Sequence, residues 1–158
     1  MEDKQPDIAG NADLPLKGIK ILIAEDEQTN FYLLKRFFEK YGADIYRAEN
    51  GAEAVEMIRE GRSFDLVLMD ILMPVMNGYK ATSRIKEMRP SLPVIAQTAL
   101  AMEGDINKVL NAGCDDYISK PLRIDILLSK INKYINKKKW EKKNEKHILS
   151  FIPGTRGN

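Results

Sequence analysis

Short runs of consecutive apolar residues alternate along this chain with stretches in which apolar positions recur every three or four residues. Ile19–Ala24, Leu66–Met69 and Pro93–Gln97 are the runs. They are too short for most helices, are bounded by charges or turn residues, and read as buried strands. Residues 43–48 alternate, and 116–119 form a short fifth strand. Between them, Phe31, Leu34, Phe37, Phe38 and Tyr41 fall at helical spacing, and Gly42 stops that helix. Asn50-Gly51 would ordinarily mark a hairpin, but Ala54, Val55 and Ile58 have the helical period, so a loop into a second helix is expected there. A third helix is predicted from Tyr79 to Met88 and a weak, polar fourth from about Gly104 to Asn111. The last opens near Arg123, with Ile124, Leu127, Leu128, Ile131 and Ile135 on one face.

Strands alternating with helices over about 120 residues imply a parallel sheet covered on both faces, because each right-handed crossover needs a helix. The expected class is α/β: a doubly wound five-stranded parallel sheet of five βα units, with the flavodoxin-like order 2-1-3-4-5. Residues 1–17 lack periodicity and read as a flexible arm or linker, residues 18–136 as one domain, and residues 137–158 as a basic tail. At 158 residues, 44% hydrophobic and 30% charged, the chain has the composition of a globular protein. Nothing approaches the roughly 18 uninterrupted apolar residues of a membrane span. MEDKQPD is unlike a signal peptide, so a cytoplasmic location is expected. The single cysteine, Cys114, forms no internal disulfide, and the single histidine, His147, lies in the polar tail. Seven Lys against two Glu between residues 133 and 147 leave the rest mildly acidic, which argues against a nucleic-acid-binding body.

The strand ends carry the chemistry. Asp70 closes the Leu66–Met69 run, and ligands of open parallel sheets gather at the carboxyl ends of strands. Taken alone, such an Asp is more often a turn residue capping the next helix. Three other ends change that reading: Glu25-Asp26 after the first strand, Thr98 after the fourth and Lys120 after the fifth. Crowded carboxylates keep their charge only when a cation joins them, and an all-oxygen site suits Mg²⁺ with a phosphate oxygen completing its shell. A hydroxyl and a mobile ammonium would receive phosphoryl oxygens. The joint reading is an aspartyl-phosphate site.

ILIAEDE, LVLMDILMPVMNGY, VIAQTA and DDYISKP occur in this order over about residues 18–136, and together they resemble the receiver domain of two-component response regulators, particularly receivers attached to hybrid histidine kinases. The resemblance implies phosphorelay signalling. Asp70 would accept a phosphoryl group from a histidine kinase or histidine phosphotransfer domain. Asp26 and Asp70 would ligate Mg²⁺ by side chain and Leu72 by its backbone carbonyl, with Glu25 reaching the metal through water. Thr98 would be the switch hydroxyl, Lys120 the phosphate-pairing ammonium, Tyr117 the switch aromatic, and Lys120-Pro121 a cis peptide. Partner binding, including a homodimer through the last helix-strand-helix face, would follow the switch. No independent substrate turnover is expected.

Leu72 and Leu100, each two residues beyond a site residue, border the approach to the phosphate in this family, so slow spontaneous loss of the phosphoryl group is expected. An Asp-nucleophile phosphatase of the haloacid dehalogenase type needs a second Asp where Leu72 stands. A flavodoxin-like electron carrier needs a phosphate-cradling loop in place of Glu25-Asp26-Glu27. A receiver-like module that works without phosphorylation is a third alternative. The tail is too short for a DNA-binding domain, so output through partner contact is expected, from a stand-alone receiver or a segment of a hybrid kinase. Lys137-Lys138-Lys139-Trp140 read as a solvated helix extension or a patch for an acidic partner. Ile148, Leu149, Phe151 and Ile152 read as a segment that docks on the body or on a second subunit.

Overall fold

Every residue of strand β3, Leu66–Asp70, is buried, and this explains why the run shows no polar alternation: both faces of the strand are covered. The structure is a computed structural model that describes residues 14–99 and 102–136. Within them β1 (Lys20–Ala24), α1 (Gln28–Glu39), β2 (Asp44–Ala48), α2 (Gly51–Arg59), β3, α3 (Gly78–Met88), β4 (Val94–Thr98), α4 (Glu103–Asn111) and β5 (Asp116–Ser119) follow in order. A fifth helix, α5, occupies 124–136. The five strands are parallel in the order β2-β1-β3-β4-β5, as the alternation of elements predicts.

Alternate residues of each strand feed two cores. Ile21, Ile23, Leu66, Leu68 and Ile95 pack with Phe31, Leu34 and Phe38 of α1 and Leu127, Ile131 and Ile135 of α5. Leu22, Val67, Met69 and Ala96 pack with Val55 and Ile58 of α2, Ala81 and Ile85 of α3, and Val109 of α4. Strand ends at one rim are thereby fixed from both sides.

One expected boundary moves. Leu16, assigned to the flexible arm, is 0% exposed in the α1/α5 core, and its N–H donates to the Tyr41 carbonyl at 2.8 Å. Gly42, at φ +89°, turns the chain there and lies close against Leu14 and Lys17. Residues 14–17 therefore belong to the packed body. Leu14-Pro15-Leu16, interrupted by a proline and followed by Lys17 and Gly18, is too short to carry a period by which the sequence could have placed it. Residues 1–13 of that arm and the whole tail 137–158 lie outside the described residues.

Two glycines pin the segment that follows Asp70. A side chain at Gly78 would collide with the Asp70 carbonyl and Ile71, and one at Gly51 with the Met76 carbonyl. Instead, the Gly78 N–H donates to the Ile71 carbonyl at 2.8 Å and the Gly51 N–H to the Met76 carbonyl at 3.1 Å. Asn50 and Asn77 cap α2 and α3 through the N–H groups of Glu53 and Lys80, at 2.8 and 3.0 Å. Asn50-Gly51 is thus a helix start, as the period indicated.

Candidate functional site

Glu25 and Asp26 leave the end of β1 in a loop held from β2. The Glu25 N–H donates to the Ala48 carbonyl at 3.0 Å. Arg47 donates from Nε to the Glu25 carbonyl (3.2 Å) and from Nη2 to the Asp26 carbonyl (3.1 Å), with its guanidinium over the Phe31 ring. This clamp turns the acids toward Asp70, one strand away. Glu25 is 1% exposed, Asp70 is 4% exposed and Asp26 is exposed. One carboxylate oxygen from each lies within 4.8 Å of the others, a cluster that can hold a metal ion. Lys120 arrives from the end of β5, its backbone N–H donating to the Thr98 carbonyl at 2.8 Å, and the Lys120–Pro121 peptide is cis. Its ammonium donates to Asp70 Oδ2 at 3.1 Å and lies 4.0 Å from Glu25 Oε2.

Burial and mutual repulsion set the electrostatics. Burial pushes the Glu25 carboxyl up, the Asp70 charge adds to this, and Lys120 offsets part of it. Burial likewise raises Asp70, against the hydrogen bond and charge of Lys120, while Asp26 raises it further and the Leu72 N–H bond lowers it. For Lys120, burial works downward, but Asp70 and Glu25 hold it above its ordinary value. Glu25 Oε2 is buried and accepts no hydrogen bond. A hard divalent cation with part of its water shell fits this set of carboxylates, since it would relieve their mutual repulsion and could offer a bound water to Glu25 Oε2.

Thr98 is 1% exposed at the end of β4, in register with Ser119. Tyr117 is half-buried against the α2/α3/α4 core, with Lys130 Nζ 5.4 Å from its ring centroid; Lys130 also pairs with Asp116 at 2.7 Å. Leu72 is 57% exposed beside Asp70, and its backbone N–H bonds the carboxylate. Leu100 lies outside the described residues. The structure thus brings Glu25, Asp26, Asp70 and Lys120 into one group. Arg47 and Gln97 escaped the sequence reading. Arg47 looks like an ordinary polar residue of an alternating strand, whereas Gln97 left a faint signal as the one amide in an otherwise apolar run.

Comparison with known proteins agrees with this geometry. A model of the response regulator receiver domain matches residues 21–132. Over 139 residues the chain is 38% identical to hybrid signal transduction histidine kinase I of Dictyostelium discoideum, which covers 83% of this chain but 8% of that protein. Over 118 residues it is 39% identical to the polar-differentiation response regulator DivK of Brucella anthropi, covering 73% of this chain and 94% of DivK. Among solved structures, the receiver domain of a Pseudomonas aeruginosa sensor histidine kinase, which has a magnesium ion coordinated in its active-site cleft, superposes with a TM-score of 0.70. Its identity is 32%, over 75% of this chain and 98% of that one.

Proposed function

The chain belongs to the response regulator receiver domain family, and on that premise we propose that Asp70 accepts a phosphoryl group from a histidine kinase or a histidine phosphotransfer domain, with Mg²⁺ at the acidic cluster. The observation that carries this reading is the buried Asp70 carboxylate held 3.1 Å from Lys120 and within reach of two further acids. An Asp70 oxygen attacks phosphorus in line. The P–N bond to the donor imidazole breaks, its electron pair returns to the ring nitrogen, and that nitrogen takes up a proton. Lys120 moves its hydrogen bond from Asp70 to a phosphoryl oxygen, and Thr98 donates its hydroxyl to another. Asp26, Asp70 and the Leu72 carbonyl would hold Mg²⁺, with Glu25 reaching it through water. When bound, Mg²⁺ neutralises charge on the phosphoryl oxygens.

Movement of Thr98 frees space for Tyr117 to turn inward from Lys130, which changes the α4–β5–α5 face. Partner binding, including a homodimer, uses that face. The group stays on Asp70 until it is relayed or hydrolysed, so no separate substrate is turned over. The chain works on the cytoplasmic side, and among the described residues no helix is long and apolar enough to cross a membrane. The kinases' own activities belong to proteins of which this chain spans a small part.

Intact-mass measurement after incubation with acetyl phosphate and Mg²⁺ tests the site. One phosphoryl group is expected on the native chain and none on Asp70→Asn. A gain that persists in the variant assigns the phosphate elsewhere, and no gain on the native chain, even from a cognate phosphohistidine, favours a receiver that works without phosphorylation.

A further inference from the structure

Arg47 grips the backbone of the two acids rather than their carboxylates. Three residues, Glu25, Asp26 and Glu27, link the end of β1 to the start of α1. Within that link the bonds are short-range, from the Glu27 N–H to Glu25 Oε1 at 3.3 Å and from Asn30 Nδ2 to Glu27 Oε2 at 2.8 Å, and Glu27 makes no side-chain cap on α1. Its tie to the sheet comes from β2. The Glu25 N–H reaches the Ala48 carbonyl at 3.0 Å, and one guanidinium binds two consecutive carbonyls, Glu25 at 3.2 Å and Asp26 at 3.1 Å. The guanidinium is itself seated, 5.2 Å over the Phe31 ring and 3.5 Å from Glu49 Oε1. A planar fork on adjacent peptide units fixes the backbone from which both carboxylates hang.

We propose that Arg47 is a positioning residue that makes the acidic cluster select Mg²⁺ over Ca²⁺, which rests on the reading that a divalent cation binds there. Mg²⁺ demands near-octahedral oxygens at about 2.0–2.1 Å, whereas Ca²⁺ accepts irregular shells at about 2.3–2.6 Å. Discrimination between them depends on how rigidly the ligands are held, so a loosened loop penalises the smaller ion more. Charge and position make opposite predictions for Arg47. Its positive charge repels a cation, so on charge alone its loss tightens binding. As a clamp, its loss weakens binding, and Lys, which keeps the charge but lacks the fork, fails to replace it.

The test is a titration of the full ¹⁵N-labelled chain, without phosphodonor, with MgCl₂ and separately with CaCl₂ at constant ionic strength. The amide resonances of Asp26 and Ile71 are followed in the native chain, Arg47→Gln and Arg47→Lys, and a dispersed spectrum shows that each variant is folded. Mg²⁺ binding about tenfold weaker in both variants is expected, with Ca²⁺ binding changed less than about twofold, so that the preference for Mg²⁺ falls several-fold. Arg47→Lys alone decides the matter if Arg47→Gln does not fold. Native-like Mg²⁺ affinity in Arg47→Lys, tighter binding in Arg47→Gln, or equal weakening for both ions overturns the proposal while native binding stands. Absence of a saturable Mg²⁺ shift in the native chain overturns the metal reading together with it.

Discussion

Asp70 occupies a place that its own charge resists. Burial and Asp26 raise its pKa, and burial and Asp70 raise that of Glu25, so the fold favours the protonated forms. Groups whose folded pKa is raised contribute stability that is fully present below their unfolded values and is lost as pH climbs through the raised ones. The metal-free chain is therefore expected to lose stability as pH rises out of the ordinary carboxylate range, in urea melts at stepped pH. Asp70→Asn removes one of these charges and is expected to stabilise the metal-free chain by about 1 kcal/mol, a shift of a few degrees in melting temperature. Mg²⁺ should raise the melting temperature of the native chain much more than that of the variant; equal shifts would separate the metal from Asp70. Leu72 acts differently, as an exposed aliphatic group beside the carboxylate. Replacing it with Asn admits and orients water, so release of phosphate from the loaded protein is expected to quicken several-fold. A lifetime unchanged by Leu72→Asn removes this role.

At the scale of elements, the turn after β3 is held in place by its neighbours rather than by its own preference. Val75 sits at φ +67°, a left-handed conformation that a β-branched side chain resists, and it is 83% exposed, so packing does not compensate. Val75→Asn is expected to raise stability by about 1 kcal/mol in denaturant unfolding. Asn50→Ala, which strips the cap from α2, should lower it by about the same amount. Elements were legible in the sequence where burial imposes a period: β3 and β4 read as unbroken runs because both faces are covered, and α1 as a stripe because one face is. Helix α4 was faint for a physical reason, since it buries Val109 alone. The site was legible through its side-chain types at strand ends. The clamp that holds the acids was not, because Arg47 acts through backbone carbonyls and leaves no spacing.

For the whole molecule, the body begins earlier than the chain's pattern suggests. Leu16 closes the α1/α5 core, and Leu16→Ala is expected to cost about 3 kcal/mol, measured by chemical denaturation. A loss under 1 kcal/mol would return residues 14–17 to the arm. The site itself is spread over the ends of β1, β3, β4 and β5, four segments that meet only because the parallel strands stop at one rim. Each group hangs from a strand whose hold on its neighbours comes from apolar residues behind it. Chemistry and fold can therefore part company by a single codon. A chain with Asn in place of Asp70 is expected to keep its sheet and its binding surface while losing the phosphoacceptor, whereas a charge in place of Leu68, 0% exposed in the α1/α5 core, is expected to cost the fold and the site together.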